Sequence, residues 1–197
     1  MNKVATQKRR YELKARARSQ EATRARIAAA AAELHEEVGI ARTTVSDIAR
    51  RAGVQRLTVY NHFPDLQALL PACTAHWLAR HPLPDLEDAL AAEDPATRLR
   101  AVLAALYRWY RETAPMQARV VGERGTVPEL DEWMARSMDP LMADLATRLA
   151  QGIDRPGARA LAALAVDFWT WRRLDLEGLD DAAAAELMAG VVAGTPG

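Results

Sequence analysis

The sequence predicts an all-α fold, and three observations carry that expectation. Alanine and leucine are abundant among the 50% of the 197 residues that are hydrophobic. Valine, isoleucine and threonine, which favour strands, are sparse. Apolar residues recur at spacings of three and four along nearly the whole chain, the period of one helix face. About nine helices follow, three in a head and six in a body.

The first helix is expected from about Gln20 to Val38, where Ile27, Ala31, Leu34 and Val38 form one stripe and Gly39 supplies a stop. Thr44 is placed to cap a second helix, with Asp47 three residues on able to answer it. That helix ends near Ala52, Gly53 turns the chain, and Gln55 to His62 forms a third. Phe63-Pro64-Asp65 breaks the pattern and recaps a fourth helix, striped by Leu66, Leu69, Leu70, Cys73 and Trp77 and kinked at Pro71. Beyond residues 81–84, prolines sit where a first helical turn tolerates them. Pro95 opens a helix to about Arg111, Pro115 one to about Gly122, and Pro128 a long one to about Gln151, bent near Pro140. Two more run from about Pro156 to Leu174 and from Asp180 or Asp181 to about Ala193. The expected organisation is a basic arm at 1–19, a helix-turn-helix domain at 20–64 and a larger helical domain at 65–197.

Charge is balanced overall, with 26 Lys/Arg against 26 Asp/Glu, yet unevenly spread. Residues 1–64 hold 13 basic against 6 acidic side chains, and residues 65–197 hold 13 against 20. A basic head on an acidic body is the footprint of a protein that meets a polyanion at one end. Cys73 is the single cysteine, so an intrachain disulfide and a thiolate zinc cluster are excluded. No apolar run reaches the roughly 20 residues that span a bilayer, and no apolar signal core follows the basic start. A cytoplasmic protein without membrane partners is expected.

The informative stretch is residues 43–63. Two short helices crossing through a tight turn need Ile48 and Ala52 facing inward, a small Ala49 at the crossing, and Gly53 at the turn. Val54, Val59 and Phe63 would close the core from the other side. What remains outward is Gln55, Arg56, Thr58, Tyr60, Asn61 and His62, rich in donors that suit base edges and phosphates.

On these residues the chain resembles the N-terminal domain of the tetracycline-repressor (TetR) family. The matching set is Thr43-Thr44, Ile48-Ala49, Ala52-Gly53-Val54 and Thr58-Val59-Tyr60-Asn61-His62-Phe63, within about 45 residues ending at Leu70. The resemblance implies that Thr44, Tyr60 and His62 touch phosphates, with Thr43 beside them. It also implies that Gln55, Arg56, Leu57, Thr58 and Asn61 face the major groove. Two departures stand out: Leu57 replaces a small residue, and Leu66 replaces a lysine that would reach phosphate. The arm carrying Lys8, Arg9 and Arg10 would compensate, in the minor groove or along the backbone, unless it is only a solvated tail.

The resemblance further implies a homodimer formed through the last two helices and an effector pocket among the middle ones. Leu161, Leu164, Phe168 and Trp171, then Leu187, Met188, Val191 and Val192, are the candidate contacts with a symmetry mate. Trp109, Tyr110, Met116, Trp133, Met134, Phe168 and Trp169 are the candidate walls of a pocket for a small hydrophobic ligand. Glu112, Glu123 and Asp167 would favour a cationic one if they face inward. Ordinary core is the competing reading for each. No catalytic residue, metal site or cofactor is expected: His76 and His81 lack a third ligand at useful spacing, and no phosphate loop is present. His35 and His81 read as surface residues, and Cys73 as a buried structural thiol. A helix-turn-helix protein controlled by protein partners, or a helical enzyme, are the alternatives.

Overall fold

In the computed structural model, which describes residues 3–194, the chain forms eleven helices and no strand among those residues. It divides into two compact units, Met1–Arg80 and His81–Gly197.

The first unit holds α1 (Lys3–Val38), α2 (Val45–Ala52), α3 (Arg56–His62) and α4 (Leu66–Leu78). The expected stripe of α1 is buried at Ile27, Ala31 and Leu34, where α2 and α4 pack against it. Two boundaries differ from expectation. The helix begins at Lys3 rather than near Gln20, so the basic arm is a continuation of α1. The unit closes after Arg80 rather than after Pro64, because Leu69, Leu70, Cys73 and Trp77 of α4 are buried in the packing that includes α1.

His35 is a correction: it is 4% exposed, with Nδ1 3.7 Å from the Cys73 sulfur. Next to Leu34 on the stripe, it lies against α4, a contact that α1's own sequence could not announce. Burial lowers its pKa to about 4 and pushes the Cys73 thiol up to about 12, so neither carries charge near neutral pH.

The second unit holds α5 (Glu87–Leu90), α6 (Pro95–Glu123), α7 (Pro128–Ser137), α8 (Asp139–Leu149), α9 (Ala158–Ala165), α10 (Phe168–Leu176) and α11 (Asp181–Ala193). Its axis is α6, which packs against α5, α8, α10 and α11 and buries Leu99, Val102, Leu103, Leu106, Tyr107 and Tyr110. Asp94 caps its start, accepting from Thr97 N at 2.8 Å.

Eleven helices replace the expected nine for local reasons. One continuous α6 runs through Pro115, because buried residues on both sides, Tyr110, Thr113 and Met116, outweigh the lost backbone bond. The expected 128–151 helix is two, broken at Met138; Asp139 and Pro140 start α8, and the Arg124 guanidinium forks onto the Asp139 carboxylate at 2.8 Å twice. The expected 156–174 helix is also two. Asp167 caps α10 by accepting from Trp169 N and Thr170 N, while Tyr107 and Tyr110 take the carbonyls of Ala165 and Val166. The short α5 adds the eleventh.

Candidate nucleic-acid interface and sensor core

The helix-turn-helix is built as its residue sizes require. Ile48, Ala49, Ala52, Val59 and Phe63 are all buried, and Val54 is half-buried. Thr44 caps α2 through its hydroxyl, accepting from Asp47 N at 3.2 Å and donating to the Asp47 carboxylate at 2.5 Å. That hydroxyl, with Arg50 beside it, holds the Asp47 carboxyl below its usual range. Gly53 turns the chain at φ +65°, and its N–H, with that of Val54, closes the end of α2 on Arg50 and Ala49 carbonyls.

Both short helices are tied to α1 by arginines. Arg51 of α2 reaches the carboxylates of Glu33 and Glu37, its two nitrogens lying 2.8 and 2.7 Å from the Glu37 oxygens. Arg24 of α1 donates 2.8 Å to the carbonyl of His62, the last residue of α3, and lays its guanidinium 4.1 Å from the centre of the Phe63 ring. Neither arginine was among the residues singled out from sequence. Both lie far along the chain from their partners, so only the fold pairs them.

These ties leave one face of α3 outward. Gln55, Arg56, Leu57, Tyr60 and Asn61 are exposed, Leu57 by 68% and Tyr60 by 44%. Thr58 and His62 are half-buried and turn toward α1, where they and Asn61 face Gln20, Glu21 and Arg24 across a cleft of about 580 Å³. Thr44 is exposed at the start of α2; Thr43 donates its hydroxyl back to Gly39 O at 2.7 Å and is half-buried. Leu66 is half-buried at the start of α4. Lys8, Arg9 and Arg10 fall on the helical backbone of α1, but their side chains lie outside the described residues. A helix about 10–12 Å wide does not fit a minor groove about 6 Å wide, so a helical arm suits the phosphate backbone and not the groove floor.

In the second unit, Trp109, Tyr110, Met116, Met134 and Phe168 are buried, and Trp133 is half-buried. Tyr110, Phe168 and Trp171 form an aromatic cluster with centroids 5.5 to 5.8 Å apart, and Trp169 edges onto Phe168 at 5.1 Å. Trp169 is itself 46% exposed, so it rims the cluster rather than sealing it. The polar tips of Trp109 and Tyr110 are spent on the carbonyls of His81 and Val166. Of the acids expected to favour a cation, Asp167 is exposed and committed to the cap of α10, Glu112 is exposed, and Glu123 is half-buried. Among the expected dimer contacts, Phe168, Trp171, Met188 and Val192 are core, whereas Leu164, Leu187 and Val191 stand 56%, 47% and 39% exposed. No helix among the described residues is long and apolar enough to cross a membrane.

A family profile described as "Bacterial regulatory proteins, tetR family" matches residues 27–73. The HTH-type transcriptional regulator BetI of Burkholderia mallei (strain NCTC 10229) is 31% identical over 180 residues, covering 85% of this chain and 90% of that protein. BetI of Paraburkholderia xenovorans (strain LB400) is 30% identical over 162 residues, 76% of this chain and 80% of its own. Among solved structures, a TetR-family transcriptional regulator from Rhodococcus sp. superposes with a TM-score of 0.59 at 20% identity, covering 87% of this chain and 97% of that one. That likeness concerns the fold alone. A transcriptional regulator from Rhodococcus sp. Rha1 gives the same TM-score at 25% identity, over 86% and 92% of the two chains.

Proposed function

This chain belongs to the TetR family and is a DNA-binding transcriptional regulator, and from that premise we propose that it represses transcription by laying α3 of each subunit of a homodimer into the major groove of a palindromic operator. The observation that supports the reading most is the outward face of α3, where Gln55, Arg56, Leu57, Tyr60 and Asn61 are exposed on a positively charged head. Arg56 reads a base, with guanine its best partner through O6 and N7. Tyr60 and the Thr44 end of α2 fix the register on phosphates, and Thr43, Thr58 and His62 flank them. Lys8, Arg9 and Arg10 extend the contact along the backbone, in place of the cation that Leu66 lacks. α1 gives this extension little internal support: its described side chains from Tyr11 to Ala22 are all exposed, and an isolated helix of that length is marginal in water.

The second unit supplies the subunit contact and the signal. Leu164 of α9 and Leu187 and Val191 of α11 meet their symmetry mates, and Ala160 and Ala163, both exposed, let the helices approach closely. A small hydrophobic ligand held near the Phe168 and Trp169 rings, with Met116, Trp133 and Met134 as adaptable walls, shifts the population of states away from the one whose recognition helices match the operator. The two half-sites lie roughly 34–36 Å apart or a multiple, so a small change in separation releases DNA. The protein works in the cytoplasm and catalyses no reaction.

Selecting bound duplexes from a random library tests the reading. A two-fold palindrome with half-sites at that spacing is the expected outcome. Enrichment of a single, unrepeated element would sink the dimer reading, and no enrichment would sink α3 as a reader of sequence.

A further inference from the structure

The seven residues of α3 are too few to hold a helix alone. Inward it offers one buried side chain, Val59, with Phe63 just beyond its end. At its start Gln55 makes no side-chain cap, and only its carbonyl, accepting from Thr58 N and Val59 N, closes the first turn. Its end is different. The carbonyl of His62, at the negative pole of α3, receives the Arg24 guanidinium at 2.8 Å, and the same guanidinium lies over the Phe63 ring at 4.1 Å. A cation at a helix C-terminus is favoured by the dipole, and a charge-assisted bond is about twice as strong as a neutral one.

We propose that Arg24 is a positioning residue for sequence recognition: it clamps the C-terminal end of α3 to α1 and so sets the angle at which Arg56, Tyr60 and Asn61 are presented to DNA. Arg24 does this from the wall of the cleft between α1 and α3. It is half-buried at the cleft between α1 and α3, where the His62 carbonyl takes one of its nitrogens and the Phe63 ring covers its plane, so its charge is directed at protein. Arg51 performs the corresponding tie for α2, from Glu33 and Glu37. The two short helices are thereby referred to one rigid rod at points about 20 Å apart, from Arg24 to Glu37 at 1.5 Å per residue. The proposal rests on α3 being the reader of sequence.

The experiment compares wild type with Arg24→Met, Arg24→Lys and Arg56→Ala, using the duplex enriched from a random library and a scrambled duplex, across a salt series. Arg24→Met keeps the length and apolar contact of the side chain while removing the donor and the charge. It is expected to lose about 10-fold in affinity for the selected duplex, the scale of one charge-assisted bond. Affinity for scrambled DNA and the salt slope should stay as in wild type, because no phosphate contact is lost. Arg24→Lys should recover part of the loss, and far-UV circular dichroism reports that each variant is folded. A salt slope shallower by about one per lost contact, with the specificity ratio kept, would make Arg24 a phosphate ligand and overturn the proposal. Unchanged specificity in Arg24→Met while Arg56→Ala loses it overturns the proposal alone; unchanged specificity in Arg56→Ala overturns the reading of α3 and the proposal with it.

Discussion

The hydroxyl of Tyr110, midway along α6, donates 2.7 Å to the carbonyl of Val166 just where α9 ends. Tyr107, one turn earlier, does the same for Ala165 at 2.7 Å. A helix end buried in a core leaves carbonyls that must find donors, and these two phenols supply them. Burial drives both hydroxyls well above the ordinary tyrosine range, so they remain protonated donors at any pH the protein meets. Tyr110→Phe keeps the ring against Phe168 and Trp171 but strands the Val166 carbonyl, and is expected to cost about 1–3 kcal/mol. Urea unfolding with an unchanged slope measures it; a loss under a few tenths would mean that the carbonyl finds another donor.

The same bonds explain where the sequence misleads. Periodicity runs on from Pro156 to Leu174 because both halves are helical and apolar, and the break at 166–167 is imposed by phenols more than fifty residues away. Asp167 carries a local hint, an acidic residue able to cap, but its spacing also fits an exposed helix position. Pro115 misleads in the other direction: read as a start, it is interior, since α6 is held by its long buried face and not by any one backbone bond. The helix-turn-helix was legible because turns, caps and small-residue crossings are local requirements. Arg24 and Arg51 were not, because an arginine's partner is chosen by tertiary packing.

His35 makes stability depend on pH. Its neutral form is favoured by burial, with a folded pKa of about 4 against an ordinary value of 6.5. Between those values the unfolded chain takes up a proton that the folded head refuses, so stability is full above about pH 6.5 and falls as pH drops toward 4. The shift corresponds to a loss of about 3 kcal/mol over that window. His35→Leu should flatten this limb of the unfolding free energy; an unaltered pH profile in the variant would show that His35 is not its source.

Gly53 is fixed by its backbone. At φ +65° an L side chain is strained, yet a Cβ placed there would meet nothing within 4 Å. Gly53→Ala is therefore expected to cost about 1–2 kcal/mol of stability through conformation alone, with Gly53→Asn costing less. A cost for Gly53→Asn equal to or above that of Gly53→Ala, read from thermal unfolding, would show that the left-handed turn is not what fixes the glycine.

Arg56 and Tyr60 share α3 but are expected to fail differently. Arg56→Ala should cost about 1–3 kcal/mol of discrimination at one base position and flatten preference there. Tyr60→Phe should weaken binding to all sequences alike, since a phosphate contact carries no base information. Titrating single-base variants of the selected duplex separates the two patterns. Loss of base preference in Tyr60→Phe would move the phenol from backbone to base.

The exposed aliphatic groups of α9 and α11 make the proposed subunit contact testable apart from DNA. Leu164 and Leu187 are about half exposed, and their replacement by charge leaves the core of their own subunit intact, because Ala162, Ala165, Met188 and Val192 beside them are the buried residues. Leu164→Glu with Leu187→Glu is expected to sediment as a folded monomer at micromolar concentration. Its affinity for the palindrome should fall to the level of a single half-site, since the two recognition helices would no longer be linked at the operator spacing. A dimer that persists with both charges in place would move the interface elsewhere on the second unit. A monomer that still binds the palindrome as tightly as wild type would detach operator recognition from this pairing.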